Sequence, residues 1–313
     1  MKGYVLLALF SVTVLILTPF AAFNRTATQP VVPTPAPPEK TAVFQVKNTQ
    51  TDEVLTFSET DFLIGIVSCE MAPSSPPEAL KAQAVAAYTY YCKQRAAATD
   101  GIFSNVPETL FTKGTQAGMR ERFGDQYDTW YGVLKQAVEA VKGERILYEN
   151  EPITACYHAI SAGLTENAAT VWGGEYPYLT PVDSAGDLFA DGYATTVTVS
   201  KDDLVEKLKA ANADFSPTDT PEEWFADIKT TDSGFVQSVS VCGTAFTGPT
   251  LRTALSLRSP CFTVAYSDKG FTFTVHGYGH NVGMSQAGAK YMAEQGATYK
   301  EILAHYYPHT TIT

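Results

Sequence analysis

The stretch SETDFLIGIVSCEMAPSSPPEALKAQAVAAYTYYCKQR runs from Ser58 to Arg95. Phe62, Leu63, Ile66 and Val67 keep helical spacing. Ser58 and Thr60 are candidate N-caps, and Glu59 and Asp61 sit in the first turn, where carboxylates suit the helix dipole. The prolines of APSSPP break this helix. Pro76 or Pro77 then starts a second one, with Glu78 in its first turn. Its body is rich in strong helix formers, and its alanines admit another segment at close range. Glu70 falls at the C-terminal end of the first helix, after the apolar run Ile64–Val67. The negative end of the dipole and the apolar wall both disfavour ionisation there and raise its pKa, as a general acid requires. By position alone it is also an ordinary helix-end glutamate.

Working outward, FQVKNTQTDEVLTF reads as two short strands around a turn at Asn48–Asp52. YDTWYGVLKQAVEAVKG is a helix closed by Gly143. ERILYENEPITACYHAISAG reads as a hairpin, with Ile146 and Tyr148 on one strand, a turn at Glu149–Pro152, and a second strand up to His158. A strand and a helix capped near Ser200 follow, then the strands FVQSVSVCG and GFTFTVHG. SQAGAKYMAEQGATYKEILAHYY gives one helix ending at Gly296 and another after it. Strands and helices mix without βαβ alternation, which predicts an α+β fold.

The chain has 313 residues and a net charge of -11. No dense run of Lys and Arg occurs, which argues against nucleic-acid binding. Tyr4–Phe23 holds no charged residue and is long enough to span a bilayer core. A cleaved signal peptide fits less well, because Phe20 sits where a small residue is preferred. Residues 1–23 are therefore expected to be a transmembrane signal anchor with Lys2 in the cytoplasm and the rest outside. Residues 24–42, rich in proline, read as an extended linker, and residues 43–313 as one extracytoplasmic domain. The cysteines number five and include no CxxC pair; spacing does not say whether any are bridged.

Two further stretches carry chemistry. HAISAGLTENAATVWGG, His158 to Gly174, surrounds one histidine and Glu166 with small and hydroxyl residues. Trp172 between glycines suits stacking on a sugar face, or a core position beneath a polar loop. HGYGHNVGMSQAGA, His276 to Ala289, spaces two histidines four apart among glycines that allow tight turns and close backbone approach. A zinc site at His276 and His280 needs a third ligand and an acid, and no HExxH signature is present. No catalytic metal and no cofactor are expected. Nothing marks Cys69 as a nucleophile.

Taken in order, these blocks resemble the stage II sporulation protein D family of lytic transglycosylases. The resemblance rests on VSCEMAPSSPPEALKAQAVAAYTY, YHAISAGLTENAATVWGGEYPYLTPVDS, LRTALSLRSPCFTV and GYGHNVGMSQAGA…HYYP, and covers roughly Val54 to the end. It implies cleavage of peptidoglycan glycan strands between N-acetylmuramic acid and N-acetylglucosamine in a long cleft, leaving 1,6-anhydro-muramic ends. Carried over by position, it implies Glu70 as the catalytic acid. His158, Ser161, Thr165, Glu166, Trp172, His280, Ser285 and Gln286 become substrate-binding positions. It also implies septal wall thinning at engulfment during sporulation, beside a membrane-bound amidase that removes stem peptides and its associated membrane protein. Peptide-free strands are the expected substrate. Three positions depart from the family pattern: Tyr88 stands for a usual Arg, Ala162 for Gly, and Leu164 for a larger polar residue. Some relatives hold zinc beside the histidine block through cysteines, whereas here Cys156 has no downstream cysteine before Cys242. Other relatives bind the wall and enhance an amidase without catalysis, which is the alternative reading.

Overall fold

A computed structural model describes Val43–Thr313. The anchor and linker read from residues 1–42 lie outside the described residues. Among the described residues no helix is long and apolar enough to cross a membrane. The body is α+β, with five small sheets, mostly antiparallel, between helices.

The first core forms around the opening stretch. Ser58 Oγ accepts from the Asp61 amide at 3.0 Å and starts the helix Glu59–Glu70. That helix stops where Met71 turns extended, and Pro77–Ala97 follows with proline in its first turn. Strands Val43–Lys47 and Val54–Ser58 pair antiparallel, with Gln45 opposite Thr56, and Ile102–Phe103 adds in parallel. Their inward residues reach the helices: the Phe44 and Phe62 rings lie 4.5 Å apart and are fully buried. Ala79, Ala82, Ala86 and Ala87 are fully buried too. They let the helices Tyr127–Ala140, Gln286–Glu294 and Tyr299–Tyr306 pack closely on Pro77–Ala97. The first and last segments of the described residues thus share one core.

A second core lies in the middle of the chain. Strands Phe262–Ser267, Gly270–His276 and Ala194–Val199 make one antiparallel sheet, and Phe225–Thr230, Val236–Val241 and Thr244–Phe246 make another. Trp224 is fully buried, stacks on Phe271 at 5.1 Å and donates its indole N–H to the Thr218 carbonyl at 3.1 Å. Helices Lys201–Ala211 and Gly248–Leu255 cover this core. All the cysteines are free thiols.

One sequence expectation is corrected. The hairpin after Ile146 turns on Glu149 and Asn150, both left-handed at φ 51° and 67°. Its second strand is only Glu151–Pro152. A tight bend, with the Cys156 amide on the Thr154 carbonyl at 2.8 Å, redirects the chain. Tyr157–His158 then pairs in parallel with Met284–Ser285 instead. This switch places the histidine block beside the C-terminal glycine-rich loop.

Replacing Phe62 by Ala should lower the unfolding free energy by about 3–5 kcal/mol, because it empties a fully buried aromatic site. Urea denaturation checks this. Val54→Ala, at a position 40% exposed, should change it by less than about 1 kcal/mol.

Candidate functional site

The loop after strand Gly270–His276 is built on left-handed backbone: Gly277, Gly279, Asn281 and Gly283 have φ of 77°, 122°, 70° and 71°. A Cβ at Gly277 would lie 2.7 Å from the Ile160 carbonyl, and one at Gly279 would lie 2.7 Å from His158 Cβ. The glycines therefore serve close contact as well as turning. Tyr278 and Ile160 exchange backbone hydrogen bonds at 2.7 and 3.0 Å, and the Glu166 amide donates to the Asn281 carbonyl at 2.6 Å. His276 and His280 do not act as a pair. The His276 ring faces Tyr193 at 5.4 Å, and His280 faces His158 at 5.5 Å.

Both inner histidines are neutral at neutral pH. Burial, with the His280 charge next, pushes His158 down to about 3. Burial, with the Arg252 charge next, pushes His280 down to about 4. His158 Nδ1 sits 3.1 Å from the Val282 carbonyl, so Nδ1 carries the proton, and its buried Nε2 has no partner among the described residues. His280 Nδ1 accepts from the Val282 amide at 3.1 Å, which puts its proton on Nε2. Trp172 is 50% exposed and meets His280 edge-on at 5.0 Å.

Glu70 ends its helix with part of its surface open. Burial raises its pKa, opposed by the amide of Gln286. Gln286 Nε2 donates to Glu70 Oε2 at 3.2 Å and to Gln83 Oε1 at 3.3 Å. Burial above all, and the Glu70 charge to a lesser degree, opposes ionisation of Tyr91 and Tyr157. These two tyrosines, with Tyr90, Asn105, Trp172 and His280, line an open pocket of about 450 Å³. Glu70 is not itself a lining residue of this pocket. The structure thus gathers Glu70, Gln286, His280 and Trp172 around one region.

The other expected site residues face inward. Ser161, Thr165 and Ser285 are fully buried. Asp187, which the sequence reading missed, accepts from the Ser161 amide at 2.7 Å and from Ser285 Oγ at 2.8 Å. The same Ser285 Oγ caps the Gln286–Glu294 helix by accepting from the Gly288 amide at 3.2 Å. Thr165 Oγ1 accepts from the Val182 amide at 2.9 Å. Glu166 is buried, and its Oε2 accepts from Thr231 at 2.5 Å and Ser233 at 2.7 Å. Nothing in the local pattern around Asp187 distinguishes it from a loop aspartate.

Of the three departures, Tyr88 lies away from the site. Its hydroxyl donates to Glu59 Oε2 at 3.0 Å, and Arg95 pairs with Glu59 Oε1 at 3.0 Å. Glu59 and Glu70 are opposite ends of one helix, roughly 16 Å apart at the ordinary rise per residue. At the other two, Asn281 Oδ1 accepts from the Ala162 amide at 3.1 Å, and Asn281 Nδ2 donates to the Leu164 carbonyl at 3.0 Å. Among the described residues no three or more His, Cys, Asp or Glu side chains are grouped to hold a metal ion. Burial pushes the Cys156 thiol up to about 12.

Residues 47–148 match the family model described as "Stage II sporulation protein". Stage II sporulation protein D of Bacillus amyloliquefaciens is 32% identical over 280 residues, covering 88% of this chain and 77% of that protein. Its counterpart in Bacillus subtilis (strain 168) is 31% identical over 285 residues, covering 89% and 80%. The chain belongs to the stage II sporulation protein D family. It is also similar to a Bacillus subtilis (strain 168) protein named "Amidase enhancer", 28% identical over 302 residues, covering 80% of this chain and 40% of that protein.

The raised pKa of Glu70 has a consequence for stability. The folded state binds its proton more tightly than the unfolded state, so stability falls as pH rises from the unfolded pKa through the folded one. Glu70→Gln removes that loss. Thermal melts should show the variant gaining on wild type between pH 4 and pH 8, with the difference smallest at the acid end; a difference independent of pH would contradict the raised pKa.

Proposed function

We propose that the chain is a membrane-anchored peptidoglycan lytic transglycosylase cutting between N-acetylmuramic acid and N-acetylglucosamine. The observation that carries this reading is a single, partly buried carboxyl with raised pKa, held by one amide, beside an aromatic-lined pocket. Among the described residues only burial and Gln286 shift Glu70. Glu166 and Asp187 are engaged in hydrogen bonds elsewhere. Hydrolytic glycosidases ordinarily place two carboxyl groups across the bond. One carboxyl suffices if the nucleophile is the sugar's own 6-hydroxyl, already tethered to the anomeric carbon.

In this mechanism Glu70 first donates its proton to the glycosidic oxygen as the C1–O bond breaks. The carboxylate formed keeps the Gln286 N–H, then accepts the proton of the 6-hydroxyl as its oxygen bonds to C1. The 1,6-anhydro ring closes and Glu70 is protonated again. Tyr91 and Tyr157, held un-ionised by burial, supply dipoles near the developing positive charge. Trp172 offers an aromatic face to a pyranose ring. His280 stays neutral and orients the tryptophan edge.

The wider setting follows the family. Residues 1–23 anchor the chain with its N-terminus in the cytoplasm, 24–42 form the linker, and 43–313 act outside the membrane in a cleft that follows the pocket. The partners are peptide-free glycan strands, a sporulation amidase and its associated membrane protein, and the process is septal wall thinning at engulfment. A second reading, wall binding that enhances an amidase without catalysis, is favoured by the relative that bears that name.

Glu70→Gln should fold and lose glycan cleavage by about 10⁴-fold, since one group supplies both proton transfers. Glu78→Gln should cleave at the wild-type rate, because Glu78 binds the Tyr299 amide at 2.8 Å and Lys81 at 2.6 Å. Mass spectrometry of strands digested with and without stem peptides is the readout. Wild-type speed in Glu70→Gln would remove Glu70 from the mechanism. Absence of anhydro product from wild type would leave the enhancer reading in its place.

A further inference from the structure

The glutamine that holds Glu70 is itself held by a second glutamine. Gln83 lies one turn from Ala79 and from Ala87 on helix Pro77–Ala97 and, like them, is fully buried. Its Oε1 accepts from Gln286 Nε2 at 3.3 Å, and that same nitrogen donates to Glu70 Oε2 at 3.2 Å. Three helices meet at this nitrogen: Glu59–Glu70 by its last residue, Pro77–Ala97 by its middle, and Gln286–Glu294 by its first. The other end of Gln83 gains nothing from the arrangement. Its Nε2 is buried and has no hydrogen-bond partner among the described residues.

An amide is seldom fully buried, and an unmet N–H there costs stability. An apolar side chain of the same length would fill the space without that cost. What it could not do is accept the second N–H of Gln286. A primary amide has two N–H donors on one side and a carbonyl on the other. With Gln83 Oε1 in place, both donors of Gln286 are met and the nitrogen faces Glu70. Turning Gln286 over alone would set its carbonyl against that of Gln83. Turning both amides over would restore their contact, but it would set a carbonyl against the carboxylate that Glu70 becomes after giving up its proton.

We propose that Gln83 is a positioning residue that acts through Gln286, keeping the Gln286 N–H on Glu70 Oε2 and so directing both proton transfers through Oε1. The proposal deepens the glycan-cleaving reading and rests on it for the reaction served. Without the second acceptor, Gln286 can present its carbonyl to a protonated Glu70. The proton is then held toward Gln286, away from the glycosidic oxygen.

Gln83→Met keeps the length of the side chain and removes the acceptor. In the full-length chain, glycan cleavage should lose about 10-fold in kcat, the worth of one ordinary hydrogen bond, with KM unchanged. The Glu70 carboxyl, followed by carbon-13 NMR and assigned by its loss in Glu70→Gln, should titrate higher in Gln83→Met than in the parent. Among the described residues burial and Gln286 act on Glu70, and Tyr91 and Tyr157 beside it are un-ionised. Mere loosening of the packing would admit water and move that titration the other way. In a Gln286→Met background, Gln83→Met should change neither kcat nor the titration further, because the residue it acts through is gone. If Gln83→Met does not fold, the parent decides: both side-chain amide protons of Gln286 should exchange slowly with solvent deuterium. A Glu70 titration unchanged or lowered in Gln83→Met, an additive effect in the Gln286→Met background, or rapid exchange of either amide proton would overturn the proposal. The titration needs no cleavage, so absence of anhydro product from wild type would defeat the transglycosylase reading alone.

Discussion

The carboxylate of Asp187 is the constraint on which the site depends. It has no exposed surface, and it gathers the Ser161 amide and the Ser285 hydroxyl. That ties the histidine block to the C-terminal helix that starts at Gln286. Buried polar groups are costly unless satisfied, so this three-way junction has few alternative arrangements. Two results follow from it. The parallel pairing of Tyr157–His158 with Met284–Ser285 is held in register, and Gln286 is aimed at Glu70 from a segment 216 residues away.

Around that junction, charge is held down. His158 and His280 are neutral, the inner tyrosines are un-ionised, and burial raises the pKa of both Glu70 and Asp187. Withdrawing groups from water in this way costs stability, and the two hydrophobic cores on either side supply the rigidity that keeps them in place. Glu70 is the carboxyl in this region that burial holds toward its protonated form while part of its surface stays open.

Local order was readable where short-range rules dominate. Ser58 as N-cap, the proline restart at Pro77, the helix Tyr127–Ala140 before Gly143, and the left-handed glycines at 277, 279 and 283 all follow from backbone sterics and capping. The site was legible as pieces, Glu70 at its helix end and His280 on a turn, whereas the pattern left Trp172 open between an exposed platform and a core position. What pattern alone does not reveal is partnership. Tyr157 looks like the continuation of a hairpin, yet it pairs with Met284, because pairing depends on where distant segments meet. The resemblance puts Ser161, Thr165 and Ser285 at substrate-binding positions, yet all three are fully buried. Asp187 resembles any loop aspartate until Ser161 and Ser285 arrive beside it. The Tyr88 departure, alarming in the sequence, lies beside Glu59 at the far end of the Glu70 helix.

The central claim is that Glu70 works alone, with the sugar's own hydroxyl as nucleophile. Digestion of peptide-free strands in heavy-oxygen water, followed by mass analysis of the new muramic ends, tests it most directly. The account predicts ends that contain no solvent oxygen and are lighter than hydrolysed ends by one water. Incorporation of solvent oxygen at those ends would mean hydrolysis, and would contradict it.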